Sequence, residues 1–180
     1  MIFVTGSLYH FSLMPIRGEF NFAGMMKSVF IITAGILLAC CQQPGEHNAR
    51  LVQRYFNEVW NKGDTALLDS LLAPGYINHT PSSADAGTGI AGLKTIVMAI
   101  RKGFPDLHYE IQDLVVTPNR VVARVIMTGT QTDSLFNLPP TGRKVQVNQI
   151  NIEEIVDDRM SEHWRTTDEL TLMKQLGFVP

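Results

Sequence analysis

The chain has 180 residues, of which 45% are hydrophobic and 18% charged, and a formal net charge of −2. That is one domain's worth of chain by the usual prior of about 100–200 residues each. The mild acidity, with no basic patch, disfavours nucleic acid as a partner, and no internal repeat or low-complexity block interrupts the chain.

Near the start the sequence reads MMKSVFIITAGILLACCQQPG, beginning at Met25. Lys27 is followed by an apolar run, Val29 to Ala39, interrupted only by Thr33 and Gly35. The run falls short of the ~20 residues a membrane-spanning helix needs and has the length of a signal-peptide core. A buried core helix is the alternative, but the run has no polar face. Leu37-Leu38-Ala39-Cys40 resembles the lipobox of bacterial lipoproteins, although Leu38 is bulkier than the residue usual there. The resemblance implies cleavage before Cys40, acylation of that cysteine, and a domain held at the cell envelope through a lipid anchor. Met1 to Gly24, with Glu19, is an awkward leader, so translation is expected to start at Met25 or Met26. The expected partition is residues 1–39 as signal region, 40–48 as lipidated cysteine and tether, and 49–180 as the folded domain. Cys40 and Cys41 are the only cysteines, so that domain can hold neither an internal disulfide nor a cysteine-ligated zinc.

Leu51, Val52, Tyr55, Phe56, Val59 and Trp60 recur at helical spacing and predict an amphipathic helix ending near Gly63. Asp64 can cap a second, short helix with Leu67, Leu68, Leu71 and Leu72 on one stripe, up to the Pro74-Gly75 break. A third helix is predicted over about Ala91 to Arg101, with Leu93, Ile96, Val97 and Ile100 inward. The period then changes to two. Strands are predicted at Leu107 to Gln112, Val121 to Met127, Lys144 to Val156 and Met160 to Thr166, joined by turn chemistry such as Asp157-Asp158. Helices followed by a run of strands indicate an α+β domain, with helices packed on an antiparallel sheet and a pocket at its open end.

Three blocks, YFNEVWNKGDTALLDSLLAPGYINHTP, GTQTDSLFNLPPTGRKV and MSEHWRTTDELTLMKQLG, resemble the SnoaL-like polyketide cyclase (ester cyclase) family of the NTF2-like superfamily. The resemblance covers nearly all of residues 50–178. It implies an NTF2-like cone-shaped barrel, a curved antiparallel sheet packed on N-terminal helices around a cavity. It also implies ring closure by aldol chemistry without metal or cofactor, with an aspartate as acid/base. Asp168 aligns with that aspartate, and His79 with a histidine at the cavity mouth. Gln131 stands where the family often has histidine, and it cannot transfer protons.

Each candidate has a plainer reading beside the functional one. Asp168 precedes an apolar helical stripe stopped by Gly177, so it is also a good N-cap. Catalysis would need its pKa raised, whereas accepting backbone N–H bonds lowers it. His79 is equally suited to bonding the backbone in a loop. Trp164 and Trp60 read as aromatic cavity wall or as plain core. His163, out of phase with Trp164, is expected on the solvent face. Glu154 shares parity with Ile150 and Ile152 and is read as either inward beside Asp168 or solvated at the strand end. Gln131 completes the candidate substrate contacts. No carboxylate–histidine cluster has metal-ligand spacing.

Two functions of different class follow. One is a cofactor-independent cyclase or isomerase acting on a small hydrophobic carbonyl or ester compound, with Asp168 and His79 catalytic. The other is a non-catalytic domain binding a small hydrophobic molecule or a partner at the membrane. A homodimer through the outer face of the sheet, carrying Arg124, Gln146 and Gln149, is also expected.

Overall fold

The computed structural model describes residues 44–180. The signal region, Cys40 and the first part of the expected tether lie outside the described residues. The fold begins earlier than the expected boundary at residue 49. Helix α1 is Pro44–Arg54, with proline in the first turn, where its missing N–H leaves no bond unmade. Asn48 is buried, and its Nδ2 donates to the carbonyls of Thr117 and Pro118, 3.1 Å from each. The end of the expected tether is therefore part of the domain.

α1 then widens into a π-helical turn, Tyr55–Trp60. The wider turn brings Tyr55, Phe56, Val59 and Trp60 inward together, and all four are buried. Just beyond it, Asn61 replaces a strand partner for Tyr109. Its Oδ1 accepts the Tyr109 N–H at 2.7 Å, and its Nδ2 donates to the Tyr109 carbonyl at 3.0 Å. The chain turns at Gly63, whose φ of +80° suits glycine. Asp64 accepts the Leu67 N–H at 3.3 Å and opens a short 3₁₀ turn leading into α2, Leu68–Leu71.

The remaining elements are β1 (Leu72–Asn78), α3 (Gly89–Gly103), β2 (His108–Val116), β3 (Arg120–Thr130), β4 (Lys144–Val156), β5 (Arg159–Thr167) and α4 (Glu169–Leu176). The strands form one sheet in the order β1-β5-β4-β3-β2. All neighbours are antiparallel except β1 and β5. The α+β expectation holds, with one strand more than the alternation showed. β1 was hidden because Pro74-Gly75 reads as a break. As an edge strand whose register shifts between Leu72 and Ile77, it tolerates a proline that a central strand would not.

Pairing fixes which residues face the helices, because directly opposed residues in a sheet share a face. Val125, Gln149 and Thr167 lie side by side on β3, β4 and β5; so do Ala123, Asn151 and Arg165, and Val121, Glu153 and His163. Val121, Ala123 and Val125 are all buried on the inner face. Their partners Gln149, Asn151 and Glu153 are therefore inward and buried too. The opposite parity, Val122–Ile152–Trp164 and Arg120–Glu154–Glu162, faces out. This reverses the expected phase of β4: Ile150 is 49% exposed, and Glu153 rather than Glu154 is the inward carboxylate. Gln149, expected on the outer face, is inside.

Candidate active site

A cavity of about 240 Å³ opens between the inner face of the sheet, the end of α3 and α4. Phe104, Met127, Leu135, Leu138 and Leu172 supply apolar walls, and Tyr109, Gln149 and Arg165 supply a polar floor. The loop after β3 forms one rim. It turns at Phe136, which has φ +50°, and is closed by reciprocal Leu135–Leu138 backbone bonds of 3.0 and 2.9 Å. Deeper in, a void of about 10 Å³ is bordered by Tyr55, Trp60, Asn151 and His163, and shares Tyr109, Gln149 and Arg165 with the cavity.

Beside this void sits the most buried ionisable pair among the described residues. Glu153 is 1% exposed and His163 4%, with His163 Nδ1 2.8 Å from Glu153 Oε1. Glu153 Oε2, Asn151 Nδ2 and the Tyr76 hydroxyl have no hydrogen-bond partner. Buried polar atoms are usually paired with protein groups or ordered water. Burial, and then the charge of Glu153, pushes the Tyr55 hydroxyl well above its ordinary pKa. Burial, then Tyr55 and Glu153, does the same to Tyr76. Burial also raises Tyr109. These tyrosines stay neutral O–H groups, available as hydrogen-bond donors.

Of the residues picked from the sequence, only Trp60 lines this interior. Asp168 is the N-cap of α4: its Oδ1 accepts the Thr171 N–H at 3.1 Å. The Thr171 side chain, then its backbone N–H, holds the Asp168 carboxyl below the usual carboxylate range, and the group is exposed to solvent. That is the wrong direction for a base working near neutrality. Its neighbours are Arg124, Ile150 and Thr166, in a shallow depression on the outer face.

His79 and Trp164 also lie outside. Their rings stack at 4.5 Å and 6°, and His79 Nε2 is 2.6 Å from Glu162. Arg120 stands 5.8 Å from the Trp164 ring and donates to Glu154 at 2.7 and 3.2 Å. Glu154 is thus an outer-face ion-pair partner and not a cavity carboxylate. Gln131 is fully buried, but its amide is spent on structure. Its Oε1 accepts from the Thr141 hydroxyl at 2.7 Å, and its Nε2 donates to the Pro139 carbonyl at 3.2 Å, bracing the rim loop.

His163 is the largest correction, since alternation anchored on Trp164 placed it in solvent. The signal that would have found it is the polar run Gln149, Asn151, Glu153 at spacing two on β4, with Val145 and Val147 in phase. Among the described residues no three His, Cys, Asp or Glu side chains gather as metal ligands.

Comparison with known proteins agrees with this architecture. The model of the SnoaL-like polyketide cyclase family matches residues 50–176. Nogalonic acid methyl ester cyclase of Streptomyces nogalater is 24% identical over 121 residues, which is 66% of this chain and 90% of that protein. Aklanonic acid methyl ester cyclase of a Streptomyces species is 26% identical over 125 residues, 67% of this chain and 76% of that one. The solved structure of TsrD from Streptomyces laurentii superposes with a TM-score of 0.68 at 30% identity, over 74% of this chain and 97% of its own.

Proposed function

The chain belongs to the SnoaL-like polyketide cyclase family, and we propose that it acts as a cofactor-independent cyclase- or isomerase-type enzyme on a small hydrophobic carbonyl or ester compound. One observation carries this reading: His163 stands on the cavity face of β5, with Nδ1 2.8 Å from the buried Glu153. A base oriented by a second group is the recurring form of acid/base machinery. Against an ionised carboxylate Nδ1 carries the proton, which leaves Nε2, on the far side of the ring, as the base. The void beside His163 is about the size of one water. Tyr109, Gln149 and Arg165 border both void and cavity. A single water there relays the proton between a carbon alpha to the substrate carbonyl and His163, within the reach that general base catalysis allows. The neutral Tyr109 hydroxyl and the Gln149 amide are donors for the oxygen that gains charge. Two relatives named for methyl ester substrates support a carbonyl compound of this class. The acid/base role thereby moves from Asp168 to His163.

A second reading, a binding domain without catalysis, is favoured by the 4% exposure of His163, which the polar floor separates from the main cavity. One experiment separates the two. Small molecules that copurify with the protein are released by denaturation and identified by mass spectrometry, and exchange of the proton alpha to their carbonyl is followed. We expect His163→Gln to slow exchange by ~10²–10⁴-fold, with Asp168→Asn close to wild type. Equal rates in wild type and His163→Gln would leave only the binding domain.

For the N-terminal segment we propose anchoring at a bacterial envelope through acylated Cys40, supported by the apolar run that precedes it. Cys40→Ser should give an unprocessed or soluble form, and an intact mass with an unmodified N-terminus upstream of that residue refutes it. Pairing of two copies through the outer sheet face, where Ile150 is 49% exposed, is proposed with it and is read by light scattering.

A further inference from the structure

Arg165 has no place in the proton-transfer scheme except as part of the wall. Yet it is the one cation that borders both the cavity and the void among the described residues. It sits on the inner face of β5, half-buried, opposite Asn151. Its Nη2 donates to the Ser82 hydroxyl at 2.9 Å and reaches the Thr80 carbonyl at 3.5 Å. Its backbone N–H donates to the Thr80 hydroxyl at 2.7 Å. These bonds are all to neutral groups, and they hold the guanidinium in one orientation. Nε and Nη1 make no hydrogen bond among the described residues.

No carboxylate among the described residues lies within ion-pair distance of Arg165, whereas Arg50, Arg120 and Arg124 each have one on the surface. Glu153 is engaged with His163. Glu169, the one carboxylate in the cavity lining, is exposed at the start of α4 and forms no ion pair with Arg165. A cation partly removed from water beside Phe104, Met127 and Leu172 costs free energy unless an anion answers it. Both two-pronged edges of a guanidinium include Nη2, which is engaged here, so Nε–H and the Nη1 hydrogens remain as single charge-assisted donors for a carboxylate.

We propose that the cavity takes a small apolar molecule carrying one free carboxylate, which is bound by Arg165, with its apolar body against the rim loop and α4. At about 240 Å³ the cavity is below the range of about 300–1,000 Å³ that holds drug-sized ligands, so the molecule is small. Glu169 at the mouth disfavours a second negative charge. The inference deepens the reading above, and rests on it in taking this cavity as the substrate site.

The test compares octanoate with methyl octanoate, which differ in charge and little in apolar body, by titration calorimetry on the full chain. Wild type should bind the acid about 10–100-fold more tightly than the ester, the range of a charge-assisted contact. Arg165→Gln should abolish that preference, and ester binding that persists in this variant shows that the cavity is still formed. Arg165→Lys should keep part of the preference. Equal affinities in wild type, a preference that survives Arg165→Gln, or no binding of either compound would each overturn the proposal. Binding needs no turnover, so the two readings fail separately. Loss of anion preference leaves the His163 scheme standing, and a failed exchange assay leaves the ligand class standing.

Discussion

Two glutamate–histidine pairs lie on opposite faces of the same part of the sheet. On the inner face, Glu153 and His163 are 2.8 Å apart, with side chains 1% and 5% exposed. On the outer face, Glu162 and His79 are 2.6 Å apart, with side chains 34% and 37% exposed. The two even touch through the backbone, since the His79 N–H donates to the His163 carbonyl at 2.9 Å. Chemically the pairs are the same. Water screens one and not the other, so the inner pair is expensive to break, while the outer one is a surface fastening.

The largest test of that contrast is His163→Ala. It strands a buried carboxylate and should cost about 3–5 kcal/mol in denaturant unfolding. Replacing both partners, Glu153→Gln with His163→Gln, removes the buried charge and should cost less than His163→Ala alone. A double variant as unstable as the single one would mean that packing, rather than charge, sets the cost. Gln131→Ala comes next, as a buried polar group without charge. It leaves the Pro139 carbonyl and Thr141 hydroxyl unanswered, about 1–3 kcal/mol, and should speed proteolysis of the rim loop. His79→Ala should change stability by about 0–1 kcal/mol, the usual range for an exposed ion pair. A larger loss would show that its stacking on Trp164 matters more than the ion pair.

The smallest effect is expected at Asp168→Asn. Asparagine caps nearly as well, so unfolding at neutral pH should hardly move. The pH dependence carries a sign. Because the folded-state pKa of Asp168 is lowered, its stabilisation is complete above the ordinary carboxylate range and is lost as pH falls through the folded value. The acid limb of the wild-type stability curve should therefore be slightly steeper than that of Asp168→Asn. Identical limbs would show that the cap bond is equally made by the protonated acid.

The helices, β2, β3 and the turns were legible because their apolar residues repeat at the period of the element. β4 was legible as a strand but not in phase. Both of its faces carry branched apolar residues at one end, and its inner face turns polar at Gln149, Asn151 and Glu153. A reader following hydrophobicity sides with Ile150 and Ile152. Only the pairing with Val121, Ala123 and Val125 decides the matter, and register is not written in one strand. The misreading carried over to β5, where Trp164 looked like an interior residue and hid His163 and Arg165. Asp168 was legible as the helix cap that it forms, because an aspartate ahead of an apolar helical stripe is a cap signal. Tyr76 escaped notice because it lies on an edge strand interrupted by Pro74.

The π-helical turn at Tyr55–Trp60 has a bearing on how this domain tolerates length changes. It is equivalent to one residue inserted into an α-helix, absorbed without moving either end. A deletion of a single residue there could be accommodated as ordinary α-helix. The residues beyond it would keep their orientation, so Asn61 would still hold the backbone of Tyr109, one of the three residues shared by void and cavity. The α-helical stretch before it, Pro44–Arg54, has no surplus residue, and a deletion there would turn the residues ahead of the cut by about 100° relative to those after it. A single lost codon should therefore be tolerated better within Tyr55–Trp60 than in the helix that leads into it.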